Sequence, residues 1–206
     1  MENRVELIGF YGGDETHALS AWTSTSRELT EKRRSRIPAF LKALAENGHE
    51  TPFEKSLLHF LVTSDVASHI HILKHRIGVS VNAESARYKE LKEENRYYYP
   101  PDWNFDARAH LAELYAKADK TYHELVDYLE PKLGRKRAKE SARFVLPYGH
   151  QITSDVSFNF RSFVHFLKLR RTPHAQKEIN EIAEKMLALV RKIGAFKYSL
   201  EAFELA

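Results

Sequence analysis

Apolar and polar positions sort the chain into strands and helices before any chemistry is considered. Three short stretches predict strands: Val5–Phe10, the nearly continuous apolar run Leu57–Val62, and Gln151–Phe160. In the last, Ile152, Val156, Phe158 and Phe160 take the even positions. Gly12-Gly13 breaks the first strand, and Asp14 can cap a helix through Leu19 and Trp22. Thr23–Ser26 reads as a hydroxyl-rich capping exit. Residues 30–47 predict one basic amphipathic helix with Ile37, Phe40, Leu41 and Leu44 as its apolar stripe. Pro38 inside it predicts a kink or a late start. Thr51-Pro52-Phe53-Glu54 has the form of a capping box with proline at the first helical position. Ser64-Asp65 can cap a helix that carries Ile70, Ile72 and Leu73 and runs to Arg76. Arg96–Pro101 is aromatic, extended and suited to a half-buried strand.

The second half reads as mostly helical. Residues 106–129 carry Leu111, Leu114, Tyr115, Ala118, Tyr122, Leu125 and Leu129 at helical spacing, a core stripe. Residues 134–145 predict a basic helix stopped near Pro147. Residues 161–170 and 174–193 predict two helices separated by Thr172-Pro173, and 196–203 a short one. No repeat, low-complexity tract or linker divides the chain, so 1–206 is expected to form a single domain.

Composition adds limits. The chain has 206 residues, no cysteine and a net charge of +4. Disulfides, thiolate metal sites and a cysteine nucleophile are excluded. A mild basic excess suits anionic ligands such as nucleotides, folates or nucleic acid without choosing among them. No apolar run approaches membrane-spanning length and no signal-peptide pattern opens the chain, so a cytoplasmic protein is expected.

The chemistry concentrates between Lys74 and Tyr88. Lys74, His75 and Arg76 stand in a row; Gly78, Ser80, Asn82 and Glu84 follow; then Ser85, Ala86, Arg87 and Tyr88. A cationic triplet at a helix C-terminus followed by hydrogen-bonding groups is a candidate anion site, and Arg87 adds a planar fork suited to phosphate. A charged helix end followed by a polar loop has the same pattern.

The stretch resembles the signature of the flavin-dependent thymidylate synthases: Arg-His-Arg, seven or eight residues, then serine. Here it stands as Lys74-His75-Arg76, eight residues, Ser85. Three more blocks match in order. Residues 48–55 resemble the family's GHETPFEH-type segment. Ala142-Arg143 with Leu146-Pro147 resembles its ARxxLP segment. Asn159, Arg161, Arg170 and His174-Ala175-Gln176 match its final block. The resemblance implies an α/β fold of the α+β kind, with a mixed β-sheet flanked by several helices, in a single-domain subunit of a homotetramer. It implies reductive methylation of dUMP to dTMP, with methylenetetrahydrofolate as carbon donor and FAD, reduced by NADPH, as hydride carrier. No metal, membrane or nucleic acid is expected.

Carried over residue by residue, the resemblance implies that Arg170 is catalytic. The dUMP site would hold His71, Lys74, Glu84, Ser85, Ala86, Arg87, Arg143 and Arg170. FAD would meet Thr51, Glu54, Lys74, His75, Arg76, Asn82, Asn159, Arg161, His165 and His174, with His49 near the reacting ring. Chemistry supports the arginine. Uracil is a poor nucleophile at C5, and a permanent cation beside N3 raises ring electron density without moving its own proton. Without cysteine, covalent thiolate attack is closed to this chain. Four departures stand out. Lys74 replaces arginine, His71 replaces a usual glutamine, Ala83 stands where an acid commonly precedes the serine, and His165 replaces an asparagine. They leave open a methylase or hydroxymethylase of another pyrimidine nucleotide. The charge, the Lys32–Arg34 run and the Tyr97–Tyr99 aromatics leave a basic nucleic-acid-binding protein as a more distant alternative.

Overall fold

The computed structural model describes residues 2–26, 28–85 and 96–206. Its sheet orders four strands as β1 (Arg4–Tyr11), β2 (Leu57–Asp65), β4 (Gln151–Phe158) and β3 (Val79–Ala83). The sheet is antiparallel, where a mixed one was expected. Connections of this length permit either direction, so residue pattern could not choose. Nine α-helices are present among the described residues: α1 (Asp14–Trp22), α2 (Glu31–Arg34), α3 (Ile37–Glu46), α4 (Val66–Leu73), α5 (Phe105–Leu133), α6 (Arg135–Ala142), α7 (Phe160–Arg170), α8 (Lys177–Ile193) and α9 (Lys197–Ala202). The chain separates into two compact units.

The larger unit comprises Val5–Val62, His71–Asn82 and Asp155–Ala206. Alternation in β2 sends Leu58, Phe60 and Val62 inward, and β4 adds Val156 and Phe158. The apolar stripe of α8, Ile179, Ile182, Ala183, Met186, Leu187 and Val190, is wholly buried. Phe160, Phe163, Phe166 and Phe196 are fully buried in the same core, and Phe160 stacks on Phe196 with centroids 5.4 Å apart. Each such burial contributes roughly 2–3 kcal/mol.

Several local expectations change here. Asp14 begins α1 but does not cap it. Its carboxylate accepts from the Tyr198 and Ser199 amides at 2.9 and 2.8 Å, so it caps α9. The expected helix over 30–47 is two, and Pro38 lies in the first turn of α3, the late start. Residues Thr51–Glu54 form a 3-10 turn without a side-chain cap, not a capping box. The loop expected after the cationic triplet contains β3, whose Val79 and Val81 lean to the core while Ser80 and Asn82 face solvent.

A fully buried His17 ties this unit together. Its Nδ1 lies 2.8 Å from Ser199 Oγ and its Nε2 2.8 Å from Ser56 Oγ. Ser199 Oγ donates to Asp14 Oδ1 at 2.6 Å. Its oxygen therefore accepts from His17 Nδ1–H, and His17 Nε2 accepts from Ser56. Burial lowers the imidazole to about 4 and raises the Asp14 carboxyl.

The smaller unit comprises the described residues of Met1–Arg4, Thr63–Ile70 and Ala83–Ser154. As expected, Asp65 caps α4: its Oδ1 accepts from the Ser68 amide at 2.8 Å. Asn104 caps α5 by accepting from the Ala107 amide at 2.8 Å. On α5, Tyr115, Ala118 and Tyr122 are buried as the stripe predicted, whereas Leu114 is exposed. The expected helix over 134–145 ends at Ala142 and finishes as a 3-10 turn, Arg143–Val145. Tyr97 stacks on Tyr115 at 4.3 Å, and Tyr115 Oη donates to the Tyr98 carbonyl at 2.9 Å. These rings pack on α5, which removes much of the sequence support for a nucleic-acid stacking surface.

Candidate active site

Helix α4 stops at Leu73, so Lys74, His75 and Arg76 follow its end instead of closing it. Gly78 at φ +63° then turns the chain toward β3. A Cβ at Gly78 would lie 2.2 Å from Asn159 Nδ2 and 2.4 Å from Ser162 Oγ. The Asn159 amide donates to the Gly78 carbonyl at 2.9 Å, and the Asn159 side chain caps α7 by accepting from the Ser162 amide at 2.8 Å. The triplet is thus held against the start of the helix that carries Arg170 at its end.

Arg170 is clamped at all three of its nitrogens. Its Nε donates to His75 Nε2 at 3.1 Å, its Nη1 reaches His71 Nδ1 at 3.3 Å, and its Nη2 donates to the His71 carbonyl at 3.3 Å. The Arg170 carbonyl accepts from Asn180 at 3.1 Å. A guanidinium only donates, so both facing ring nitrogens must be unprotonated. Burial, then the charges of Arg170, His165 and His71, lowers His75 to about 4 and keeps it neutral. The His75 ring also meets Phe166 and His165 edge-on, with centroids 5.0 and 6.0 Å away. Burial lowers Arg170 from its ordinary value. The result is a partly buried cation oriented by two imidazoles.

Around it the larger unit sets out groups of two kinds. Lys74, Arg76 and His174 are exposed, with no hydrogen bond or ion pair from their side chains among the described residues. Beside them in sequence Ile77 is 86% exposed. Arg161 instead is committed: Nε donates to Glu50 at 2.8 Å and Nη1 to Glu54 at 2.6 Å. Those two carboxylates raise its pKa, Glu54 first. Thr51, His49 and Asn82 are exposed, and His165 is exposed on α7. Cationic groups next to an exposed apolar side chain fit a phosphate-bearing cofactor with a flat ring; Arg161 fits a bracing role as it stands.

The remaining candidates belong to the smaller unit. The Glu84 amide donates to the Thr153 carbonyl at 2.9 Å, and the Thr153 amide to Glu84 Oε2 at 3.3 Å, fixing the chain just before Ser85. Arg143 is exposed on its 3-10 turn. Ala86 and Arg87 lie outside the described residues. Sequence reasoning gave no role to Gln176 beyond its place in a motif, nor to Glu50. Gln176 Oε1 lies 3.1 Å from His71 Nε2, and Gln176 Nε2 donates to Glu178 at 2.8 Å. Among the described residues no cluster of three or more His, Cys, Asp or Glu is arranged to hold a metal ion, and no helix is long and apolar enough to cross a membrane.

A fixed guanidinium in the same unit as exposed, unpaired cations suits anionic ligands. Comparison with known proteins makes this specific. The family described as "Thymidylate synthase complementing protein" (Thy1) matches residues 6–194. A flavin-dependent thymidylate synthase of Pseudothermotoga lettingae is 30% identical over 206 residues, covering 94% of this chain and 87% of its own. One from Pyrococcus abyssi is 33% identical over 180 residues, covering 84% of this chain and 71% of its own. Among solved structures, the UMP/dUMP methylase PolB of Streptomyces cacaoi bound with 5-Br dUMP superposes with a TM-score of 0.81 at 27% identity, covering 98% of this chain and 95% of that one. The chain belongs to the family of flavin-dependent thymidylate synthases.

Proposed function

We propose that this protein methylates the uracil of dUMP at C5 to give dTMP, with Arg170 as the group that activates the ring. The clamped geometry of Arg170 is the observation that carries the reading. A cation beside N3 stabilises negative charge there and raises electron density at C5. It does so without reorganisation when already oriented. Loose, the same arginine would spend free energy on ordering its side chain before it could act. Lys74 would add a second, more mobile charge. Ser85 and Arg143, with Arg87, would hold the phosphate. His75 would stay neutral, so that it orients the guanidinium by accepting a hydrogen bond from its Nε–H instead of repelling it.

FAD, when bound, supplies hydride chemistry, with NADPH as its reductant and methylenetetrahydrofolate as the carbon source. Arg76, His174 and Lys74 would meet its phosphates, and Asn82, Thr51 and His165 its polar groups. Glu54, Arg161 and Asn159 would brace that wall through the contacts they already make. The reading carries with it a cytoplasmic homotetramer, in which further subunits complete the cationic surface.

Tritium release from C5-labelled dUMP, with FAD, NADPH and methylenetetrahydrofolate, tests this. Release is expected from the native protein and not from Arg170→Ala. A flavin-loaded protein that releases none from dUMP rejects the dUMP reading.

A second reading, action on UMP as well, draws on a specific observation. The PolB structures are of a UMP/dUMP methylase, and this chain carries His71 and Lys74 at positions expected to meet the nucleotide. Turnover of labelled UMP beside dUMP supports it; turnover of dUMP alone removes it.

A further inference from the structure

The side chains behind Arg170 form a run of hydrogen bonds whose direction is fixed from both ends. Arg170 can only donate, so His71 Nδ1 accepts. A neutral imidazole with Nδ1 unprotonated carries its proton on Nε2, which then donates to Gln176 Oε1 at 3.1 Å. At the far end the Glu178 carboxylate can only accept, so Gln176 must turn its amide nitrogen there, at 2.8 Å. Both constraints demand the same orientation of the Gln176 amide. The run is Arg170 to His71 to Gln176 to Glu178, a cation at one end and a carboxylate at the other, with every bond pointing the same way.

We infer that Gln176, seated by Glu178, is a positioning residue: it locks His71 in the Nε2–H tautomer and thereby keeps an acceptor facing Arg170. The alternative tautomer would aim an N–H at Nη1 of a group that cannot accept it, and that contact would be lost. Unlike the backbone carbonyl of His71, the ring nitrogen has a choice of state, and Gln176 removes it. The inference rests on the reading of Arg170 as the uracil-activating group. It concerns how that group is held, and it applies because position 71 is a histidine. A glutamine at 71 could present its amide oxygen to Arg170 with no tautomer to fix.

The test is a double-mutant cycle on the full chain: native, Gln176→Leu, His71→Gln and the double variant. Gln176 is exposed, so its replacement is not expected to disturb the core. Turnover and KM are read by tritium release from dUMP, and FAD content by absorbance. Gln176→Leu is expected to lower kcat about tenfold with FAD content kept, since a misplaced charge costs transition-state stabilisation. In the His71→Gln background the same change is expected to cost less than about twofold. An equal loss in both backgrounds, or no loss in the first, overturns the inference. In parallel, NMR of protein with ring-labelled histidine reads the tautomer of His71 directly. The native protein should show Nε2–H alone and Gln176→Leu a mixture; Nδ1–H in the native protein, or a single unchanged tautomer in the variant, also overturns it. If native protein releases no tritium, the dUMP reading fails by itself, and the NMR arm still decides whether Gln176 sets the tautomer.

Discussion

Two histidines of the larger unit sit in hydrogen-bond runs of the same logic and opposite use. Ser56 donates to His17, His17 to Ser199, and Ser199 to Asp14. Arg170 donates to His71, His71 to Gln176, and Gln176 to Glu178. Each run ends on a carboxylate. The first is buried among Phe53, Phe160 and Phe196, and it starts from a serine hydroxyl whose work is finished once it has donated. The second starts from a guanidinium that keeps its full charge and lies near exposed Lys74 and Arg76. A polar network closed on itself holds a fold together. One that starts from an undischarged cation is equipped to act on something else.

The largest effect should come from the charge itself. Arg170→Ala is expected to lower the rate of uracil C5 tritium release by about a thousandfold, or ~4 kcal/mol. Arg170→Lys should recover little, because the ammonium lacks the planar fork that meets both imidazoles. A Lys variant near native rate would show that charge suffices and that the clamp is incidental.

Gly78→Ala is expected to cost about 3 kcal/mol in urea unfolding, since the new methyl would meet Asn159 and Ser162 at a backbone angle that alanine avoids. A change below about 1 kcal/mol would mean that the triplet is not pinned to α7 as described.

Acid should find the closed network. His17 ordinarily titrates near 6.5 and is lowered to about 4 in the fold. As pH falls below 6.5 the unfolded chain takes up a proton that the native state refuses. Stability is therefore full above pH 6.5 and is lost between 6.5 and 4, by roughly 3 kcal/mol for this group. His75, also lowered to about 4, acts in the same direction. In His17→Gln the loss over that window should shrink while kcat at pH 7.5 stays within about twofold. A large kcat change would break the distinction between the two networks.

The smallest effect is expected at Lys74→Arg, an exposed position, with dUMP affinity changed by less than about fivefold. A tenfold or greater loss in titration calorimetry would mean that the pocket is shaped around lysine.

Much of this was legible in the residues. Val156 and Phe158 inward in β4, Tyr115, Ala118 and Tyr122 buried on α5, the Asp65 cap and the break before α3 follow from periodicity and cap chemistry, which are local, whereas Phe160, read as the end of the strand, begins α7. The triplet, the serine eight residues on and Arg170 were recognisable as a set through their resemblance to a family. β3 was missed although Val79 and Val81 alternate with Ser80 and Asn82, because five residues of alternation are hard to separate from a loop. Asp14 was assigned to the wrong helix because a carboxylate at a helix start caps whichever free amides reach it. Those of Tyr198 and Ser199 lie 184 and 185 residues away.

The sequence by itself determined most of the helices and three of the four strands, which side chains carry charge, and that no thiol chemistry is available. These depend on spacing and composition. Only the tertiary structure decided that the sheet is antiparallel, that Arg161 is held by two carboxylates, and that Arg170 stands between two imidazoles with Gln176 behind one of them. Those pairings join residues about a hundred positions apart. Whether a polar side chain is occupied or available depends on the partners that folding brings to it.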